Sequence, residues 1–197
     1  MRPPTPNDTE EAIRQAMQAG RWGEAEKLGA QLDRQPRPAG LISAALWYAT
    51  QGLPVFPLQP GAKIPLPGSR GCLEATTDQA VIIQWWTARP DANIGLATGH
   101  TVDVIDIDGA LGVRSWCAHW DDLPIPLGVV NTPRPGGTHL YIEALGGGNR
   151  AAVLPGVDLR GKGGYVVAPP SILGPDPSRA YHGAYTWRSP LSIASAA

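Results

Sequence analysis

Val104-Ile105-Asp106-Ile107-Asp108-Gly109 reads as an apolar strand that ends in two carboxylates one residue apart. Side chains of a strand alternate between faces, so Asp106 and Asp108 point one way while Ile105 and Ile107 point into a core. Two like charges held side by side repel unless a cation sits between them. Carboxylate oxygens are hard ligands, and a pair of them with substrate phosphates is a common way to hold Mg²⁺ or Mn²⁺. The same residues also read as a strand that closes in an Asx-rich turn, because Asp-Gly is a turn signal.

Around this strand the pattern mixes helices and strands, then gives way to strands. Asn7, Asp8 and Thr9 offer N-caps to a helical hairpin over residues 8–33, with Trp22 to Leu32 as its second helix. Residues 1–38 are expected to be this appendage and its Pro-rich linker, and residues 39–197 the main domain. Leu41 to Gln51 has helical spacing and Gly52 to cap it; Val55 to Leu58 reads as a strand. Thr77-Asp78 caps a helix over Gln79 to Ala88, and Asn93 to Ala97 and Val102 to Asp108 are strands. A helical segment over Gly109 to Trp120 leads to a strand at Val129-Val130. Thr138 to Glu143, Val157 to Arg160 and Tyr165 to Ala168 are then short strands between Gly-rich turns, which predicts a β-meander. The fold class is α+β.

Composition sets limits on partners. The chain has 197 residues and a formal net charge of −1, so phosphates must be met by a local cluster rather than by a basic chain. Cys72 and Cys117 lack partners at zinc-site spacing, so no zinc and no disulfide framework are expected, and both thiols read as reduced. No apolar run is long enough to span a bilayer and the N-terminus lacks a signal-peptide core, which predicts a cytoplasmic protein without membrane partners.

Three further segments carry chemistry. In Gly136-Gly137-Thr138-His139-Leu140-Tyr141-Ile142 the turn allows close approach to a phosphate, and His139 shares a face with Tyr141. A structural histidine bonded to a backbone carbonyl fits that pattern equally well. In Val157-Asp158-Leu159-Arg160-Gly161-Lys162 a third carboxylate shares a face with Arg160. That arrangement is either part of a metal site with Arg160 and Lys162 as phosphate neutralisers, or an ion pair on a solvated hairpin. Lys63, in a loop between prolines, and Ser171, which closes Ala168-Pro169-Pro170-Ser171, read as a surface lysine and a turn residue when taken alone.

In order, these pieces resemble the N-terminal domain of bifunctional DNA primase/polymerases, a branch of the archaeo-eukaryotic primase superfamily. The likeness runs over about residues 41–188, through Ala45-Leu46-Trp47-Tyr48-Ala49, Gly52 to Leu58, Ala75 to Asp78, Asn93 to Gly99, Asp106-Ile107-Asp108, Thr132-Pro133 with Gly136 to Tyr141, Pro155 to Arg160 and Gly163 to Ser171. It implies a primase-like catalytic core, an α/β unit packed on a sheet similar to an RNA-recognition motif, with the site in the cleft between them. The family's D-x-D falls on Asp106 and Asp108, its small-x-His on Thr138 and His139, and its lone acidic residue on Asp158. By that likeness the three carboxylates bind two Mg²⁺ or Mn²⁺ ions and His139 contacts the phosphates of the incoming nucleotide. Arg160, Lys162, Lys63, Thr138 and Ser171 complete the expected nucleotide-binding set.

The implied activity is template-directed nucleotidyl transfer in plasmid, phage or mobile-element replication. Its partners would be single-stranded DNA template and primer, dNTP or NTP substrates, and a helicase, whose phosphate-loop motif this chain lacks. Two other readings stay open. One is a nucleotide- or single-stranded-DNA-binding module without catalysis; the other is a metal-dependent nuclease or phosphohydrolase that uses the same carboxylates.

Overall fold

Helix α1 (Leu41–Thr50) buries Ala44, Ala45, Tyr48 and Ala49, and Gly52, at φ 72°, lets the chain leave it at once. Strand β1 (Val55–Leu58) is buried throughout and includes Pro57, which is tolerated because β1 lies at a sheet edge. Helix α2 (Gln79–Ala88) is capped as its sequence predicts. Asp78 Oδ1 accepts from the N–H groups of Ala80 at 2.8 Å and Val81 at 3.3 Å. Strands β2 (Asn93–Ala97) and β3 (Val102–Ile107) and helix α3 (Gly109–Cys117) follow. The second half is strand-rich: β4 (Gly128–Asn131), β5 (Thr138–Glu143), β6 (Arg150–Leu154), β7 (Val157–Arg160), β8 (Tyr165–Ala168), β9 (Ile172–Leu173), β10 (Gly183–Ala184) and β11 (Thr186–Ser189). The fold is α+β.

This computed structural model describes residues 40–119 and 124–193, with Ala12, Gln15, Arg21 and Glu24 in addition. The hairpin expected over 8–33 lies outside the described residues, save for helical Ala12, Gln15 and Glu24 and an Arg21–Glu24 ion pair of 2.7 Å. Among the described residues no helix is long and apolar enough to cross a membrane. Cys72 and Cys117 are free thiols.

Strands β1-β2-β8 form one antiparallel sheet, and β11-β4-β5-β3-β7-β6 form a second. The expected β-meander does not form. β3 inserts between β5 and β7, antiparallel to both, while β8 departs to pair with β2 in the other sheet. The reason is burial: β3 is covered along its length except at Asp106, so it is most stable with a neighbour on each side.

Alternation along β3 separates two cores. Ile105 and Ile107 join Leu140, Ile142, Val157 and Leu159 under Trp116 of α3. Val104, Val130 and Tyr141, on the opposite face, join Phe56, Leu96 and Val166 of the three-stranded sheet and Tyr48 of α1. The cleft between the sheets is therefore the only direction left for Asp106.

Helix α3 approaches the β6–β7 turn closely enough that a Cβ on Gly112 would stand 2.2 Å from the Gly156 carbonyl oxygen. That approach lets the Asp108 N–H donate to the same oxygen at 2.8 Å, which fixes Asp108 at the end of the sheet. Alanine normally stabilises a helix relative to glycine by about 1 kcal/mol. Here Gly112→Ala is expected to destabilise the protein by about 2–4 kcal/mol, because backbone must move to admit the methyl. Urea unfolding of the variant checks the sign.

Candidate active site

Register, not sequence spacing alone, gathers the site. Asp106 on β3 stands directly opposite His139 on β5 and directly opposite Asp158 on β7. Directly paired residues have Cβ atoms about 5 Å apart, so two carboxylates and an imidazole form a row across three strands. Asp158 and Arg160 share that face, as their spacing predicts, and Val104 pairs with Arg160. Asp103, three residues before Asp106, points the other way and accepts from the Leu145 N–H at 2.9 Å. It belongs to the scaffold and not to the row.

Arginines neutralise the acidic side chains. A single Arg160 nitrogen lies 3.1 Å from Asp106 Oδ2 and 2.8 Å from Asp158 Oδ2, so these two oxygens already converge on one positive atom. The other oxygen of Asp158 accepts from the Ala152 N–H at 2.8 Å. Asp108, beyond the end of β3, pairs with Arg134 at 2.6 Å. Among the described residues no three His, Cys, Asp or Glu side chains stand together as a ready metal cluster.

His139 Nε2 lies 3.5 Å from Asp106 Oδ1, and its buried Nδ1 has no hydrogen-bond partner in the structure. The Tyr185 ring covers it, with centroids 5.7 Å apart. Burial lowers the His139 pKa and outweighs the opposing pull of Asp106. The imidazole is thus neutral at pH 7. Unfolding frees it to take a proton near pH 6.5, where the native state resists. The stability contributed by the neutral form is complete above that value and is lost as pH falls toward the depressed native pKa. In metal-free buffer the urea midpoint is expected to fall between pH 7.5 and 5.5, with a shallower slope in His139→Gln; equal slopes would contradict the assignment.

A cavity of about 290 Å³ lies between the sheets, lined by Asp106, His139 and Arg160 on one side and by Lys63, Tyr165, Val166 and Val167 on the other, while Asp108 and Asp158 are absent from its lining. Lys63 reaches it from the loop after β1, where Nζ donates to the Tyr181 hydroxyl at 3.3 Å and sits 5.3 Å from the ring centre. Arg134 approaches the same ring at 5.6 Å. A chain of contacts therefore runs from Asp108 through Arg134 and Tyr181 to Lys63, of which Lys63 lines the cavity.

The structure does not bring every expected residue here. Ser171 is fully buried, and its hydroxyl accepts from the Ile94 N–H at 2.8 Å. It joins β2 to the chain after β8 and does not line the cavity. Thr138 pairs with Ile107 and so lies on the opposite face from His139. Lys162 is exposed, and its backbone packs where a Cβ on Gly99 would meet it at 2.1 Å; it is absent from the cavity wall.

Conversely, Arg134, Tyr185 and Asn149 were not singled out by sequence. Asn149 lines the cavity and accepts from the Gly161 N–H at 3.0 Å. Arg134 lies between two prolines beside the Gly-Gly turn, where nothing local marks it as a site residue. Tyr185 sits in no motif.

A family model described as bifunctional DNA primase/polymerase, N-terminal, matches residues 45–197. No curated protein matches the sequence significantly.

Proposed function

The chain belongs to the family of bifunctional DNA primase/polymerase N-terminal domains, and from that premise we propose that it catalyses template-directed nucleotidyl transfer at the Asp106–His139–Asp158 row. The observation that supports this reading is the register that sets Asp106 between His139 and Asp158 on one sheet face, with Asp106 and His139 lining a cavity that Arg160 and Lys63 also line. The two sheets are then the two parts of a primase-like core, with the site in the cleft between them.

The donor set fits hard divalent cations. Every donor is a carboxylate oxygen, and one oxygen each from Asp106 and Asp158 already meets at a single cationic nitrogen. Asp106, Asp108 and Asp158 would hold Mg²⁺ or Mn²⁺. Bound there, the ions would lower the pKa of a primer 3′-hydroxyl and offset charge on the departing pyrophosphate.

The chain's own residues do the rest. With those carboxylates given over to a bound ion, Arg160 and Arg134 would each be free to turn to a phosphate oxygen. Lys63 adds a third positive group at the mouth. His139, neutral and buried, offers a hydrogen bond without adding charge. Tyr185 holds its ring in place. A single-stranded template would be met in this local groove, consistent with a chain of net charge −1.

The test is incubation with single-stranded template, labelled dNTPs or NTPs and Mn²⁺, with and without a primer. Template-dependent product with release of pyrophosphate supports the reading. Nucleotide binding without incorporation would replace it with a binding module, and shortened DNA would replace it with a nuclease.

A further inference from the structure

Among the described residues Ala152 is the one non-glycine residue with a positive φ, at 50°. It lies in β6 where the register against β7 shifts between Arg150 and Leu154, and its side chain is exposed. An L-residue in this region is crowded by its own Cβ, and alanine has no side-chain hydrogen bond to compensate. No packing at an exposed methyl explains the conformation. Its N–H, however, donates to Asp158 Oδ1 at 2.8 Å. Bulges beside functional sites re-aim groups in this way.

We infer that the bulge at Ala152 is a positioning device for Asp158. Its N–H ties down Oδ1 and leaves Oδ2 facing Asp106, where Arg160 now bridges the two. Ala152 touches no substrate; it acts through the carboxylate it holds, as partners behind metal ligands do. The inference rests on the reading of Asp158 as a metal ligand.

Substitutions at position 152 separate this role from that of an ordinary strand residue. Ease of adopting φ near +50° runs Gly, Ala, then Val and Pro. Strand preference runs the other way, with Val above Ala and Gly. Mn²⁺ binding to the full chain, read by electron paramagnetic resonance without nucleotide or DNA, is the measurement. Ala152→Gly is expected to bind within about two-fold of the parent, while Ala152→Val and Ala152→Pro lose about ten-fold or more. Equal affinities, or Val at or above the parent, overturn the inference and leave Asp158 its role.

Asp158→Asn in the same titration reports on that role separately. If it binds like the parent, tightly or not at all, the metal-ligand reading falls and the inference with it. A further measurement avoids any dependence on the Val and Pro variants folding. The exposed Ala152 amide should exchange with solvent at least about ten-fold faster in Asp158→Ala than in the parent. Unchanged exchange also overturns the inference.

Discussion

Asparagine at both Asp106 and Asp108 is expected to lower nucleotide incorporation by about 10³-fold or more, equivalent to about 4 kcal/mol of transition-state stabilisation. Asparagine keeps the shape of the side chain, so the β5-β3-β7 register that seats Asp106 is preserved. What disappears is the negative charge that would hold a divalent cation beside the phosphates. Stability should change far less. The Arg160–Asp106 and Arg134–Asp108 pairs are partly open to water, and such pairs contribute about 1 kcal/mol or less. Primer extension and a urea melt on the same preparation separate the two effects. A folded double variant that extends primers at the parental rate would sink the proposed site.

Arg160→Ala is expected to act in opposite directions on metal binding and on catalysis. Without the guanidinium, Asp106 and Asp158 face each other uncompensated, so a divalent cation no longer competes with a resident positive group. Thermal stabilisation by Mn²⁺ should therefore be larger in the variant than in the parent. Incorporation should nevertheless fall by about 10²–10³-fold, because a cation that would meet developing charge on the phosphates is gone. Arg160→Lys should lie between the two, since a point charge on a flexible stem cannot reproduce a planar guanidinium at a shared carboxylate pair. If Mn²⁺ stabilises parent and variant equally, Arg160 is not a counter-ion to these carboxylates.

Local chemistry was legible in the sequence, and long-range placement was not. Period-two alternation alone put Ile105 and Ile107 in a core and Asp106 on the opposite face. Asp158 and Arg160 were placed on one face for the same reason. What alternation cannot encode is which strands become neighbours. Glycine-rich turns between short strands suggest hairpins, and β4–β5 and β6–β7 do pair that way. Nothing local shows that β3 will separate β5 from β7. Strand β6 escaped notice because four of its five residues are exposed, so it carries no apolar alternation. Ser171 was misplaced because a serine that closes a turn looks alike whether its hydroxyl meets a ligand or a backbone N–H. Arg134 and Tyr185 reach the site from loops, where direction depends on tertiary packing.

The exchange of strands between the sheets bears on how this protein can be divided. β2, from the first half of the chain, has β8 from the second half as a partner, and β5 and β7 close around the earlier β3. Neither sheet is therefore built from consecutive strands alone. A cut between β3 and β7 strands a row of hydrogen-bonding groups on both fragments, and the row of Asp106, His139 and Asp158 is split with them. Fragments made to isolate a binding half from a chemical half should aggregate through their bared edges.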